Sequence, residues 1–268
     1  MRYSRRDFLA LAGSGLCSCA GHAYAGGVEK GSGVHGCMLS AKEFGDLFDE
    51  KWLMPKSGVP RIDDNVAREN AAIAETFGVN AEFYFFNDRF GGNAYAYPPE
   101  PGRKMKVIFG IRFLHNTIGS IDIETGDPIP SKFPSPWGGS FAGVLAHEWA
   151  HILQFSECIH HPGPTAAPLE LHADFLAGWY MASKGEVISV EKRELEAQFY
   201  AMGDHNFYDK DHHGTPDQRA DALLSGFNLW NSGIVNVKDA FLYGVKKYGL
   251  IHPQNRSTNL DPLCRQLR

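Results

Sequence analysis

The feature that most constrains this chain is the run Gly143-Val144-Leu145-Ala146-His147-Glu148-Trp149-Ala150-His151-Ile152-Leu153-Gln154-Phe155, which holds His-Glu-x-x-His inside an apolar, helix-forming stretch. Residues i and i+4 of a helix stand one turn apart on one face, so His147 and His151 can offer two imidazoles to one metal ion. Glu148 is offset around the helix, where its carboxylate can take a proton from a water at the metal instead of ligating it. His-Glu-x-x-His arises by accident in roughly one chain in a hundred of this length. The pattern therefore needs a third ligand.

Pro168-Leu169-Glu170-Leu171-His172-Ala173-Asp174-Phe175-Leu176-Ala177-Gly178-Trp179 offers one. Pro168 suits the first turn of a helix, and Glu170 and Asp174 then share a face. Glu170 can complete the ligand set, while Asp174 accepts a hydrogen bond from the back of a histidine ring and fixes its tautomer. The fourth position stays open for water, as a catalytic zinc requires. Two imidazoles and a carboxylate imply one Zn2+ ion, although cobalt, manganese or iron can occupy the same ligands. His172 should face away from the metal. His160 and His161 are alternatives to Glu170, but adjacent residues in a Pro-rich loop are a poorer platform for one ion than a helix.

These residues resemble a family. His-Glu-x-x-His followed at a distance by Glu-x-x-x-Asp is the pattern of the gluzincins, the thermolysin-like zinc peptidases. More narrowly, "HEWAHILQ", "LELHADFLAGW" and "HGTPDQRADALLSGF" look like the bacterial neutral zinc metallopeptidases, over Phe141 to Phe227, about a third of the chain. A metzincin pattern is absent, since Gln154 and Glu157 stand where that family has Gly and a third His. The resemblance implies zinc-dependent hydrolysis of peptide bonds in a peptide or protein substrate, with Glu148 catalytic and His147, His151 and Glu170 as ligands. It also implies a donor to the oxyanion of the tetrahedral intermediate. His213 is favoured for that role, then His205, with Tyr200 and Tyr208 behind; a His just before an N-cap is also a common structural residue.

Upstream, aromatic and β-branched residues predict three strands, Val79 to Phe86, Asn93 to Tyr97 and Met105 to Leu114, with Gly91-Gly92 as a turn. Asn93-Ala94-Tyr95-Ala96-Tyr97-Pro98 with Val107-Ile108-Phe109-Gly110 resembles the strand pair before the metal helix in the membrane-associated zinc proteases of the prenyl-protease group. That resemblance makes Asn93, Ala94 and Tyr95 substrate-binding, through an unpaired strand edge that offers main-chain groups to an extended peptide. The alternative is plain sheet strands with their aromatics in the core. A helix from Ser40 to Met54, a second capped by Asp63 or Asp64 and closed by Gly78, and a third from Val190 to Met202 follow from caps and apolar spacing. Thr215-Pro216-Asp217-Gln218 forms a capping box that opens the final helix. Thr125 to Gly139 is a Pro- and Gly-rich loop leading to the metal helix. Trp149, Phe175 and Trp179 read as core.

Met1-Arg2-Tyr3-Ser4-Arg5-Arg6-Asp7-Phe8-Leu9, the apolar run to Leu16 and Ala23-Tyr24-Ala25 predict a twin-arginine signal over residues 1–25, and thus the twin-arginine export machinery as partner. The expected location is periplasmic or secreted; Leu16-Cys17-Ser18-Cys19 resembles a lipobox, so a lipid anchor at Cys19 is the alternative. The run is too short for a stable membrane span. The first 25 residues carry three Arg and one Asp, so their loss takes the net charge from -5 to -7. A mildly acidic chain argues against nucleic acid as partner. Cys37, Cys158 and Cys264 then remain, enough for one disulfide of open pairing and one thiol.

Residues 26–39 read as a flexible leader and 40–268 as a single domain. The expected fold is α+β: a small antiparallel or mixed sheet with an edge strand packed on helices, the His-Glu-x-x-His helix, and a second ligand-bearing helix. The function expected is an exported zinc metallopeptidase. Its rivals are a cell-envelope metal-binding or assembly protein that keeps the site without hydrolysis, and an amidase acting on cell-wall peptides.

Overall fold

A computed structural model of the chain describes residues 50–87, 93–98, 103–111, 113–114, 139–161, 163–185 and 189–253. The predicted signal peptide and leader, the predicted Gly91-Gly92 turn, the Pro-rich segment before Gly139 and the cysteines other than Cys158 lie outside the described residues, as does the predicted first helix as far as Phe48 and Asp49. Glu50–Trp52 is a short 3-10 turn.

Helix α1 (Pro60–Phe77) exists because Ile62, Val66, Ile73 and Phe77 repeat at helical spacing and bury one stripe. It begins earlier than an Asp63 or Asp64 cap requires. Val59 is the N-cap and Pro60 supplies the preset φ of a first helical residue. Asp63 accepts instead from the Ser57 N–H (2.6 Å) and hydroxyl (2.7 Å). Gly78, at φ +67°, closes the helix, a left-handed geometry that any Cβ would strain. Val79 is drawn into this cap, donating to the Ala74 carbonyl at 3.1 Å. The first strand therefore starts later than Val79.

Three strands follow: β1 (Glu82–Phe86), β2 (Ala94–Tyr97) and β3 (Lys106–Gly110). Their order is β1-β3-β2, with β1 parallel and β2 antiparallel to β3. The fold is thus α+β with a small mixed sheet, and β2 forms one of its edges among the described residues. β3 is buried along its whole length, as a central strand covered on both faces must be. It does not run on to Leu114. Ile111, Phe113 and Leu114 are helical. A mostly apolar run satisfies burial in either conformation, so it does not mark where the strand ends.

The remaining helices among the described residues include α2 (Gly139–Ser156), α3 (Ala167–Ser183), α4 (Ser189–Ala201), α5 (Pro216–Asn231) and α6 (Val237–Lys247). Thr215 caps α5 as its sequence predicts: its hydroxyl accepts from Gln218 N–H at 3.2 Å, and the Gln218 side chain accepts from Thr215 N–H at 2.8 Å. α5 is not the final helix. Asn236 caps α6, accepting from the N–H groups of Lys238 (2.9 Å) and Asp239 (3.3 Å).

α3 and α5 approach so closely that backbone meets backbone. A Cβ at Gly178 would fall 2.0 Å from the Leu223 carbonyl oxygen, and one at Gly226 1.9 Å from that of Phe175. α3 also lies against α2, and β2 and β3 against α2, so the two motif-bearing helices form the middle of the molecule. Trp149 and Trp179 are buried there, their indole N–H groups donating to Asn70 Oδ1 and the Ile234 carbonyl, each at 2.7 Å. Among the described residues no helix is long and apolar enough to cross a membrane.

Candidate metal centre

α2 is apolar almost all round, which makes it a core helix, and the core position is what brings His147, Glu148 and His151 out of solvent. α3 crosses it with Glu170 and Asp174 on the facing side. His147, His151, Glu170 and Asp174 are all fully buried. The candidate ligand groups lie close together: Nε2 of His147 is 3.1 Å from Nε2 of His151 and 3.3 Å from Glu170 Oε2, while Nε2 of His151 is 3.5 Å from the other carboxylate oxygen, Glu170 Oε1. A tetrahedral zinc with bonds of about 2.0–2.1 Å has ligand-to-ligand edges of roughly 3.3–3.4 Å. The separations are on that scale, and His147, His151 and Glu170 form a possible metal-binding triad.

The polar contacts behind the rings sharpen the fit. His147 Nδ1 lies 2.8 Å from Asp174 Oδ1, and a nitrogen so near a carboxylate carries the proton. His151 Nδ1 lies 2.8 Å from Gln154 Oε1, an oxygen that only accepts. Both imidazoles, when neutral, therefore turn bare Nε2 lone pairs toward each other and toward the Glu170 carboxylate. Acceptors facing one another in a dry interior are stable only around a cation. Without a metal, a proton takes that place. Burial alone would lower the pKa of His147, but the Asp174 and Glu170 carboxylates outweigh it and hold the ring up to about 9. Burial likewise raises the Glu170 carboxyl, and the charges and hydrogen bonds of His151 and His147 overcome it, keeping the group ionised.

Asp174 stands behind the His147 ring and is itself held. Arg219 of α5, also buried, grips it with two parallel bonds, Nε to Oδ2 at 2.8 Å and Nη2 to Oδ1 at 2.7 Å, and donates from Nη1 to the Met202 carbonyl at 3.2 Å. Its Nη2 is 3.9 Å from Glu170 Oε2. Burial pushes the Asp174 carboxyl up; the Arg219 guanidinium more than reverses this. Behind His151, Gln154 donates from Nε2 to the Leu169 carbonyl (2.8 Å) and to His172 Nδ1 (3.0 Å). Burial pushes the His172 ring down to about 3, so it is neutral, and it is not one of the triad.

His213 is buried in the turn before α5 and close enough to Glu170 for the two charges to interact. Asp204 accepts from its backbone N–H at 2.9 Å, lies 3.4 Å from its Nδ1, and contacts His212 Nδ1 at 2.5 Å. Of the other donors considered, His205 and Tyr208 are exposed and Tyr200 is half-buried. His160 pairs with Ile251 in an isolated bridge and stands outside the triad, as does His161. Asn93 and Ala94 are buried and Tyr95 half-buried at the start of β2, beside α2. Glu148 is buried next to His147. Cys158, two residues past α2, is disulfide-bonded.

Sequence reasoning missed Arg219, Gln154 and Asp204. Arg219 left one signal: it falls on the buried stripe of α5 with Ala222, Leu223 and Gly226, where a cation demands a buried carboxylate partner. Compared with known proteins, the chain matches no family model, no curated protein and no solved structure.

Proposed function

We propose that this protein is a zinc-dependent metallopeptidase of gluzincin type, and that the twin-arginine leader directs its export. One observation carries the reading: two imidazole nitrogens and a carboxylate gather with nearest contacts of 3.1, 3.3 and 3.5 Å, with a buried carboxylate, Glu148, next in sequence to one of them. A zinc ion held by these atoms would polarise a scissile carbonyl and acidify a water molecule. Glu148 takes a proton from that water as its oxygen adds to the carbonyl carbon. It then delivers the proton to the amide nitrogen as the C–N bond breaks. His213, steadied by Asp204, donates to the carbonyl oxygen as negative charge gathers there. An extended peptide would lie along the β2 edge, near Asn93, Ala94 and Tyr95.

The complete burial of the three ligands favours a second reading, an envelope protein that holds the ion for structure or assembly without turnover. Glu148→Gln separates the two, because the amide keeps the shape and spares the ligands. Zinc content, by atomic emission of the purified protein, should stay at the wild-type level. Cleavage of a fluorogenic peptide library should fall at least about 100-fold. If the wild-type protein binds zinc and cleaves no peptide, or if the variant cleaves as fast as the wild type, the peptidase reading fails.

A further inference from the structure

We propose that Gln154 and His172 are positioning residues for the metal: a hydrogen-bond chain that starts at a backbone carbonyl of α6 dictates which nitrogen of His151 faces the ion. This rests on the triad being a metal site.

The chain has only one consistent set of directions. The Phe241 carbonyl oxygen only accepts, and His172 Nε2 lies 3.2 Å from it, so that nitrogen carries the His172 proton. Nδ1 of the neutral ring is then an acceptor, and it takes a proton from Gln154 Nε2 at 3.0 Å. The second amide hydrogen goes to the Leu169 carbonyl at 2.8 Å. With both hydrogens committed, the Gln154 amide cannot flip, and its oxygen faces His151 Nδ1 at 2.8 Å. His151 must donate there, which leaves the Nε2 lone pair for the metal. Asp174 and Arg219 do the equivalent for His147 through charge. The His151 side does it with neutral groups alone, so the two ligands are fixed by different means.

Gly244 lets α6 lie against this chain. A Cβ there would sit 2.4 Å from His172 Cδ2, so a larger residue would push the Phe241 carbonyl away from the ring. The seat of α6 thus sets the geometry of a ligand some 90 residues earlier in sequence.

The test combines zinc affinity, measured by competition with a chromophoric chelator, with ring-nitrogen NMR of the zinc-loaded full chain. Gln154→Leu and His172→Leu should each weaken zinc binding about 10- to 100-fold. His172→Asn, whose side-chain oxygen can accept where Nδ1 did, should restore affinity to within about threefold of wild type. In the unmodified protein His172 should be the Nε2–H tautomer and His151 protonated at Nδ1. That readout needs no variant to fold. Either tautomer reversed, or both Leu variants binding zinc within twofold of wild type, overturns the proposal while the metal reading stands. A wild-type chain that binds no zinc overturns both.

Discussion

Removing Arg219 tests the electrostatic core of the site. Its guanidinium supplies two charge-assisted bonds to Asp174 and one to the Met202 carbonyl, and both partners of the ion pair are buried. Arg219→Met keeps much of the apolar stem and leaves the Asp174 carboxylate with the His147 ring as its remaining charged neighbour. Breaking one side of a buried pair costs about 3–5 kcal/mol, because the stranded charge keeps its full desolvation penalty. At about 2–4 °C per kcal/mol for a protein of this size, Tm should fall by roughly 6–20 °C. The measurement belongs on chelator-stripped protein, so that zinc does not compensate, with Tm from thermal unfolding and the free-energy loss from urea unfolding. Asp174→Asn on top of Arg219→Met removes the stranded charge and keeps an oxygen for His147 Nδ1. The double variant should recover at least half of the loss, a strongly non-additive cycle. A loss under about 1 kcal/mol for Arg219→Met, the value of a solvated surface pair, would refute the reasoning. So would additivity.

Two further variants probe neighbouring links. Gly226→Ala should destabilise the fold by about 3 kcal/mol or more, since the new Cβ would meet the Phe175 carbonyl oxygen at 1.9 Å and the Trp179 nitrogen at 2.6 Å, backbone atoms that cannot rotate away. Thermal unfolding at the wild-type Tm would mean that α3 and α5 are not so close. Asp204 carries the pH dependence. Partial burial raises its carboxyl, but hydrogen bonds from His213 and His212 hold it below the ordinary carboxylate range. A depressed pKa stabilises the fold above the unfolded-state value, and this is lost as pH falls through the folded one. Asp204→Asn should therefore cost about 1 kcal/mol at neutral pH, discounted for its solvent exposure, and the gap from wild type should narrow as pH falls below about 4. A gap that is constant from pH 7 to pH 3.5 in urea unfolding would contradict the assignment.

The ligand motif was legible because its geometry is local. His147 and His151, and Glu170 and Asp174, are each one helical turn apart, and helix periodicity alone puts each pair on one face. The α5 cap was legible for the same reason: Thr215 and Gln218 satisfy each other within a single turn. The end of β3 and the start of β1 were not. An apolar stretch is buried as strand or helix, and the cap of α1 took Val79 into its own hydrogen bonding.

What the sequence determined by itself is the identity and spacing of the donors and the helices that carry them, since short-range hydrogen bonding and side-chain period act within a few residues. The tertiary structure decided the rest of the site. Arg219 meets Asp174 across 45 residues, and His172 meets the Phe241 carbonyl across 69. Such partners are chosen by which faces become dry together, and that follows from the close seating of α5 on α3 at Gly178 and Gly226 and of α6 against His172 at Gly244. A buried charge or ring nitrogen has no water to turn to, so the fold had to deliver its partner from elsewhere in the chain.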